Sequence, residues 1–303
     1  MKKHKYEPGL ATGCIAAGGT IGILIPPSVV FVLYGILTTQ PIGALFTAGF
    51  LPGVLQTILF ILVIYIVCKL NPRAGGEPYP RASVKEMLFA LKDTWAVLAL
   101  FIIVIGGLYI GVFTPTEGAG VGAFGAFLFA LGKRRLTWKA FIDGLVDSTK
   151  TTAMAFTILI GATILTYFLA VSRLPANLSD LIASLALHPL VVLLFISILY
   201  FILGCVMDAI SMILLTIPVL YPVVLALGFD PIWFGVYIVV MAEMGMITPP
   251  VGMNVFVIAG VAKDVPMYTI FRGIAPFLIE DIVVLVVLIF VPQDALFLPG
   301  SIK

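Results

Sequence analysis

Apolar residues run in long continuous stretches along this chain, and polar residues gather between them. The runs 42–68, 93–113 and 265–291 exceed the roughly 18 residues that mark a membrane-crossing helix. None shows the period-2 alternation of a barrel strand. The pattern predicts an all-α polytopic membrane protein. Two further stretches, 9–38 and 231–262, are as apolar but carry the only adjacent prolines of the chain, Pro26-Pro27 and Pro249-Pro250. Proline removes a backbone donor and clashes with the preceding turn. In lipid, freed backbone groups are tolerated only where protein or a water-filled cavity satisfies them. Each stretch therefore predicts a discontinuous helix.

The segments between these spans are patterned differently. Val84, Met87, Leu88 and Leu91 share one helical face with charges between them. Trp138, Phe141, Ile142, Leu145 and Val146 do the same. Both predict amphipathic helices at the membrane surface. Thr114-Pro115-Thr116-Glu117 predicts a tight turn into a helix. The span that follows, 118–132, repeats the small residues Gly118, Gly122 and Ala126, which admits a close neighbour. A further span is expected at 151–171. Two apolar arms, 190–203 and 212–227, flank Gly204 to Asp208. Each is short of the roughly 20 residues of a crossing, which predicts a re-entrant hairpin with its tip near Asp208.

Composition agrees with the pattern. Of 303 residues, 61% are hydrophobic and 11% charged, where a soluble domain carries about 25% charged residues. The placement of Lys and Arg gives an orientation. An amino terminus inside puts fourteen basic residues in the cytoplasm and leaves Arg173 and Lys303 outside, with Arg272 inside the last span. Cys14, Cys68 and Cys205 lie in apolar runs without metal-ligand spacing and read as packing residues. No GxxxxGK[ST] pattern occurs, which disfavours an ATP-driven pump. No nucleic-acid partner is implied.

The two interrupted stretches match in order. At an offset of 223, Tyr6-Glu7-Pro8 aligns with Phe229-Asp230-Pro231, Gly22 with Gly245, and the first proline pair with the second. At 225, Gly35 meets Gly260 and Pro41 meets Pro266. With the orientation above, the copies run in opposite directions. This predicts an inverted-repeat secondary transporter with discontinuous helices meeting near the midplane. Residues 1–68 read as the remainder of a truncated first repeat, with broken helix 9–38 and span 42–68. Residues 69–150 supply connecting amphipathic segments and the spans 93–113 and 118–132. Residues 151–291 form the second repeat, with hairpin 190–227, broken helix 231–262 and span 265–291; 292–303 are a tail. On this symmetry the chain is the carboxy-terminal portion of a larger transporter.

Three motifs carry a resemblance to a family: Gly18 to Ser28 (GGTIGILIPPS), Thr114 to Ala119 (TPTEGA), and Thr248 to Asn254 (TPPVGMN). Met207-Asp208 and Gly228-Phe229-Asp230-Pro231 also fit. The chain resembles, over essentially its whole length, the large membrane subunit of tripartite ATP-independent periplasmic (TRAP) transporters, DctM-like. The family subunit is longer at its amino terminus. The resemblance implies sodium-coupled uptake of organic acids, such as C4-dicarboxylates or acidic sugars, across a bacterial or archaeal cytoplasmic membrane. It further implies a small membrane subunit of four helices, a periplasmic substrate-binding protein, and an elevator motion. No other cofactor is implied.

The residues at the breaks suit that chemistry. Half-helix amino ends offer free N–H groups to an anion, and unwound carbonyls and half-helix carboxy ends suit sodium. Gly19, Thr20, Gly22, Pro26, Pro27 and Ser28 form the first candidate cradle. Gly245, Thr248, Pro249, Pro250, Gly252 and Asn254 form the second. Asp208, with Ser211 one turn on, reads as a hard oxygen ligand for sodium beside Thr248; a structural hydrogen bond is its other reading. A carboxylate within a membrane helix costs about 2.5–3.5 kcal/mol on insertion scales, so it faces a cavity or a partner. Glu243 reads as a stabiliser of the second break, Glu117 as a helix-start residue, and Arg272 as a snorkelling cation. Glu280 and Asp281 in the last span have no assigned role. A single-component sodium/anion symporter, an inactive truncated fragment and a membrane-embedded hydrolase are the competing readings. No Ser–His–Asp or metal-enzyme constellation supports the last.

Overall fold

The computed structural model describes residues 1, 4–76, 83–134, 136–185 and 187–301. The described residues are helical, with no strand among them. Among the described residues, five helices are long and apolar enough to cross a membrane: Pro8–Thr38 taken as one interrupted span, Ile42–Leu70, Trp138–Ser172, Ala209–Ala226 and Met267–Phe290. The chain divides into two compact units, Met1–Pro78 with Gly161–Lys303, and Tyr79–Ile160.

In the larger unit the first interrupted span is three helices, α1 (Pro8–Gly18), α2 (Ile21–Leu24) and α3 (Val29–Thr38). Helix α4 (Ile42–Leu70) follows directly after Pro41. In the smaller unit are α5 (Val84–Ile110) and α6 (Pro115–Gly132), and the start of α7 (Trp138–Ser172). The rest of the larger unit is α8 (Leu174–Ser184), α9 (Pro189–Gly204), α10 (Ala209–Ala226), α11 (Pro231–Ile247), α12 (Met253–Val261), α13 (Met267–Phe290) and α14 (Gln293–Ser301).

Within the smaller unit, α5 and α6 pack together through the small residues expected to admit a neighbour. A Cβ on Gly118 would meet Leu108 at 3.3 Å, and one on Gly122 would meet Val104 at 3.4 Å. Helix α6 opens with a capping box: the Thr114 hydroxyl accepts from the Glu117 N–H, and the Glu117 carboxylate accepts from the Thr114 N–H at 2.8 Å. The Thr114 N–H and hydroxyl, which both donate to it, hold the Glu117 carboxyl below its usual range. Its helix-start role is thus realised.

Four elements differ from the sequence expectations. The amphipathic segment after Lys133 and the span 151–171 are one continuous helix, α7, because nothing between Trp138 and Ser172 breaks it. Trp138, Ile142, Leu145 and Val146 on its first part are exposed. The expected tail contains α14, which packs against α4. Helix α10 begins at Ala209, capped by Asp208, so this arm reaches crossing length where a shorter one was expected. Helix α5 covers both the first amphipathic segment and the apolar run after it. The face formed by Val84, Met87, Leu88 and Leu91 lies outside the residues whose side chains are described.

The core of the larger unit lies around α11. Fourteen of its seventeen residues are buried, because α9, α10, α13, α4, α3 and α2 all pack on it. Helix α1 lies along α13 at glycine contacts: a Cβ on Gly13 would fall 2.5 Å from the Gly273 carbonyl, and one on Gly273 would overlap the Gly9 backbone. Such backbone approach is available only to residues without a side chain.

Candidate functional site

Each interrupted span is built from a helix end, a proline pair and a new helix start. In the first, α1 ends at Gly18, and the buried Thr20 hydroxyl donates to the Ala17 carbonyl oxygen at 2.8 Å. Beyond Pro26-Pro27, the buried Ser28 opens α3 by accepting from the Phe31 N–H at 3.4 Å. In the second, α11 ends at Ile247, and the buried Thr248 hydroxyl donates to the Met244 carbonyl oxygen at 2.6 Å. Both proline pairs contain a cis peptide bond. Gly252, at a φ of 56°, turns the chain into α12, and a Cβ there would meet the Phe271 ring at 2.9 Å. Positive φ and lack of room both call for glycine at this position.

The structure brings several of the candidate residues together. The Asn254 side chain, at the start of α12, donates to the Ala16 carbonyl oxygen at the end of α1, at 3.0 Å. Gly19 lies against the same amide: a Cβ on it would be 3.4 Å from Asn254 Nδ2. One side chain thus ties the two breaks. The turn between α9 and α10 meets the second break from another side. The Val251 N–H donates to the Cys205 carbonyl oxygen at 3.3 Å. A Cβ on Gly245 would stand 2.5 Å from the Gly204 Cα. Among the remaining candidates, Gly22, Pro27, Pro249 and Pro250 are exposed and Pro26 is buried.

Asp208 and Ser211 form a pair of their own. Asp208 is the N-cap of α10; one carboxylate oxygen accepts from the Ser211 N–H at 3.0 Å and the other from the Ser211 hydroxyl. An N-cap bond of this kind stabilises a helix by about 1 kcal/mol. Both oxygens keep lone pairs, as do the Thr20 and Thr248 hydroxyls, which donate to carbonyls of their own helices. These oxygens are acceptors suited to a hard monovalent cation.

Sequence reasoning missed one residue. Gln56 of α4 is fully buried, and its amide donates to Glu243 Oε2 at 3.1 Å and to Asp281 Oδ1 at 3.0 Å. It joins α4, α11 and α13. The signal was a lone amide near the middle of the apolar run 42–68, where a polar group needs a buried partner. Glu243 is therefore held by α4 as well as standing before its own break.

A helical chain with several membrane-length apolar helices, two of its spans interrupted and packed together, is a polytopic membrane protein with the build of a permease. It matches the family described as "Tripartite ATP-independent periplasmic transporter, DctM component" over residues 1–293. The chain belongs to that family, whose members are transporters rather than enzymes. It is 37% identical to the sialic acid TRAP transporter large permease protein SiaM of Vibrio cholerae over 99% of this chain and 69% of that protein. It is 36% identical to the C4-dicarboxylate TRAP transporter large permease protein DctM of Pseudomonas aeruginosa, over 99% and 70%. It is 34% identical to the 2,3-diketo-L-gulonate TRAP transporter large permease protein YiaN of Escherichia coli, over 99% and 69%.

Proposed function

We propose that this chain is the membrane subunit through which a sodium-coupled secondary transporter takes up an organic acid. The observation that carries this reading is the convergence of the two breaks, tied by the Asn254 to Ala16 bond and met by the turn at Cys205. Broken helices at matching places in two halves of a membrane protein are where substrate and coupling ions bind. In this reading the two halves are inverted repeats and α9–α10 is a re-entrant hairpin. The amino terminus faces the cytoplasm. Gly19, Thr20, Gly22, Pro26, Pro27 and Ser28 line one side of the site. Gly245, Thr248, Pro249, Pro250, Gly252 and Asn254 line the other, and Asp208 and Thr248 hold sodium, with Ser211 orienting Asp208.

The three relatives are named for sialic acid, C4-dicarboxylate and 2,3-diketo-L-gulonate. All are carboxylic acids, so the substrate class is a carboxylate. A small four-helix membrane subunit completes the assembly, a periplasmic binding protein delivers the substrate, and all act at the cytoplasmic membrane. The test is uptake of labelled sialic acid and C4-dicarboxylates by proteoliposomes containing the assembled complex. Uptake is expected to require a sodium gradient. Uptake of equal rate with potassium in place of sodium overturns the coupling.

A further inference from the structure

The larger unit has a second polar centre, beside the second break and outside the proposed substrate and ion site. Gln56, Glu243, Glu280 and Asp281 sit together between α4, α11 and α13, each 3% exposed or less. The Gln56 amide spends its two N–H bonds on Glu243 and Asp281. Every other side-chain oxygen of the group lacks a donor: Gln56 Oε1, Glu243 Oε1, Asp281 Oδ2 and both oxygens of Glu280. Gln56 Oε1 is the telling one. It belongs to a neutral amide wedged between two carboxyl groups, and it is an acceptor with nothing to accept from. The centre is short of hydrogens rather than of acceptors.

Among the described residues, no positive charge makes up the deficit. Helices α1, α2 and α12 carry no charged residue; α11 carries Glu243 alone, and α14 carries Asp294. The charged residue of α4 is Lys69, exposed in its last turn over the Tyr65 ring. On α13, Arg272 is exposed and lies about 12 Å along the helix from Glu280. Three buried carboxylates without a cation are untenable, since an isolated buried charge costs more than its neutralisation.

We propose that Asp281, Glu280 and Glu243, bridged by Gln56, form a proton-binding site inside the membrane core. A proton added to a carboxylate makes a carboxylic acid, and its O–H donates to Gln56 Oε1 or to the neighbouring carboxyl. A metal ion fits less well, because no group of three His, Cys, Asp or Glu among the described residues is placed to hold one. The site stands beside the second break: Glu243 is on the helix that ends at Thr248, and α2, just before the first proline pair, packs on that helix. This inference does not rest on sodium coupling or on the substrate.

The test is infrared difference spectroscopy of the purified full chain in lipid, with pH and sodium varied separately. Wild type is expected to show the carbonyl stretch of protonated carboxyl groups at about pH 7, where free carboxyls are ionised. Asp281→Asn, Glu280→Gln and Glu243→Gln are each expected to change or remove a component of that band, and Asp294→Asn to leave it intact. A wild-type spectrum without the band at neutral pH overturns the proposal. So does a band lost only in Asp294→Asn. A band removed by sodium chloride but not by potassium chloride shows that the occupant is a metal cation, and overturns the proton assignment. The wild-type spectrum decides the matter even if a variant does not fold.

Discussion

The two breaks hold similar sequence in different surroundings. The first is clamped by α4: a Cβ on Gly49 would fall 2.6 Å from the Leu24 carbonyl oxygen, and one on Gly53 would fall 2.5 Å from the Ile25 side chain. The second is clamped by the α9–α10 turn, through Gly204 against Gly245 and the Cys205 carbonyl against the Val251 N–H. The first clamp is one unbroken helix of 29 residues; the second is the turn between two shorter helices. Those helices are tied by the Tyr200–Thr216 hydroxyl contact, and α9 is tied to α11 by the Ser197–Tyr237 contact. A long helix crosses its neighbour at a fixed place, whereas a hairpin tip moves with its arms. On the proposed sodium site, the first break would be the rigid one and the second the one whose opening exposes the ion.

The largest effects are expected where a clamp is forced apart. Gly245→Val places side-chain atoms in the Gly204 backbone, and Gly49→Val places them in Leu24 and Phe31. Overpacking of this kind costs about 1–3 kcal/mol. Both variants are expected to lower the melting temperature. If the tip is the movable clamp, Gly245→Val keeps the assembled fold and loses sodium-dependent uptake, while Gly49→Val loses the fold. Equal loss of folded protein in both, read by size-exclusion profile and thermal melting, would show the two clamps to be equally rigid.

Next in size is the proposed ion site. Asp208→Asn keeps an N-cap acceptor for the Ser211 N–H and removes the charge. The expected outcome is near-normal thermal stability with a roughly tenfold higher sodium requirement, a shift of about 1.4 kcal/mol. Normal sodium activation in the folded variant would leave Asp208 as a helix cap alone. Thr248→Val removes a buried hydroxyl at nearly constant shape, and Thr20→Val does the same at the first break. Sodium activation measured for both tells whether one break or both hold the ion.

The breaks and their glycines were legible because proline and glycine have backbone consequences wherever they stand. The spans were legible from length and hydropathy. Other features were not, for stated reasons. The union of the amphipathic segment with the span in α7 has no breaker to mark it, and none to rule it out. The Asn254 to Ala16 bond joins residues 238 apart through a backbone carbonyl, which every residue has. Gln56 was visible as an oddity, but its two carboxylate partners lie on other helices, and Glu280 and Asp281 stayed unexplained without it. Side-chain charge in an apolar run shows that a partner exists; only packing shows which one.

Smaller effects test the tie between the breaks and the start of each second half. Asn254→Ala leaves the Ala16 carbonyl without its side-chain donor, for about 1–3 kcal/mol if water does not replace it. That loss is expected in thermal melting and as uptake that saturates at higher substrate concentration. Ser28→Ala should cost less than the roughly 1 kcal/mol of an ordinary cap, because the Phe31 N–H reaches Ser28 at 3.4 Å. Its counterpart, Gly252→Ala, meets Phe271 and a φ of 56° and should cost more. The order Gly252→Ala above Ser28→Ala in melting temperature lost follows from the two helix starts: one is held by a long side-chain bond, the other by a backbone turn that an L side chain strains. The reverse order would mean that α12 can shift away from Phe271 at little cost, and that the second break is looser at its far side than at the hairpin tip.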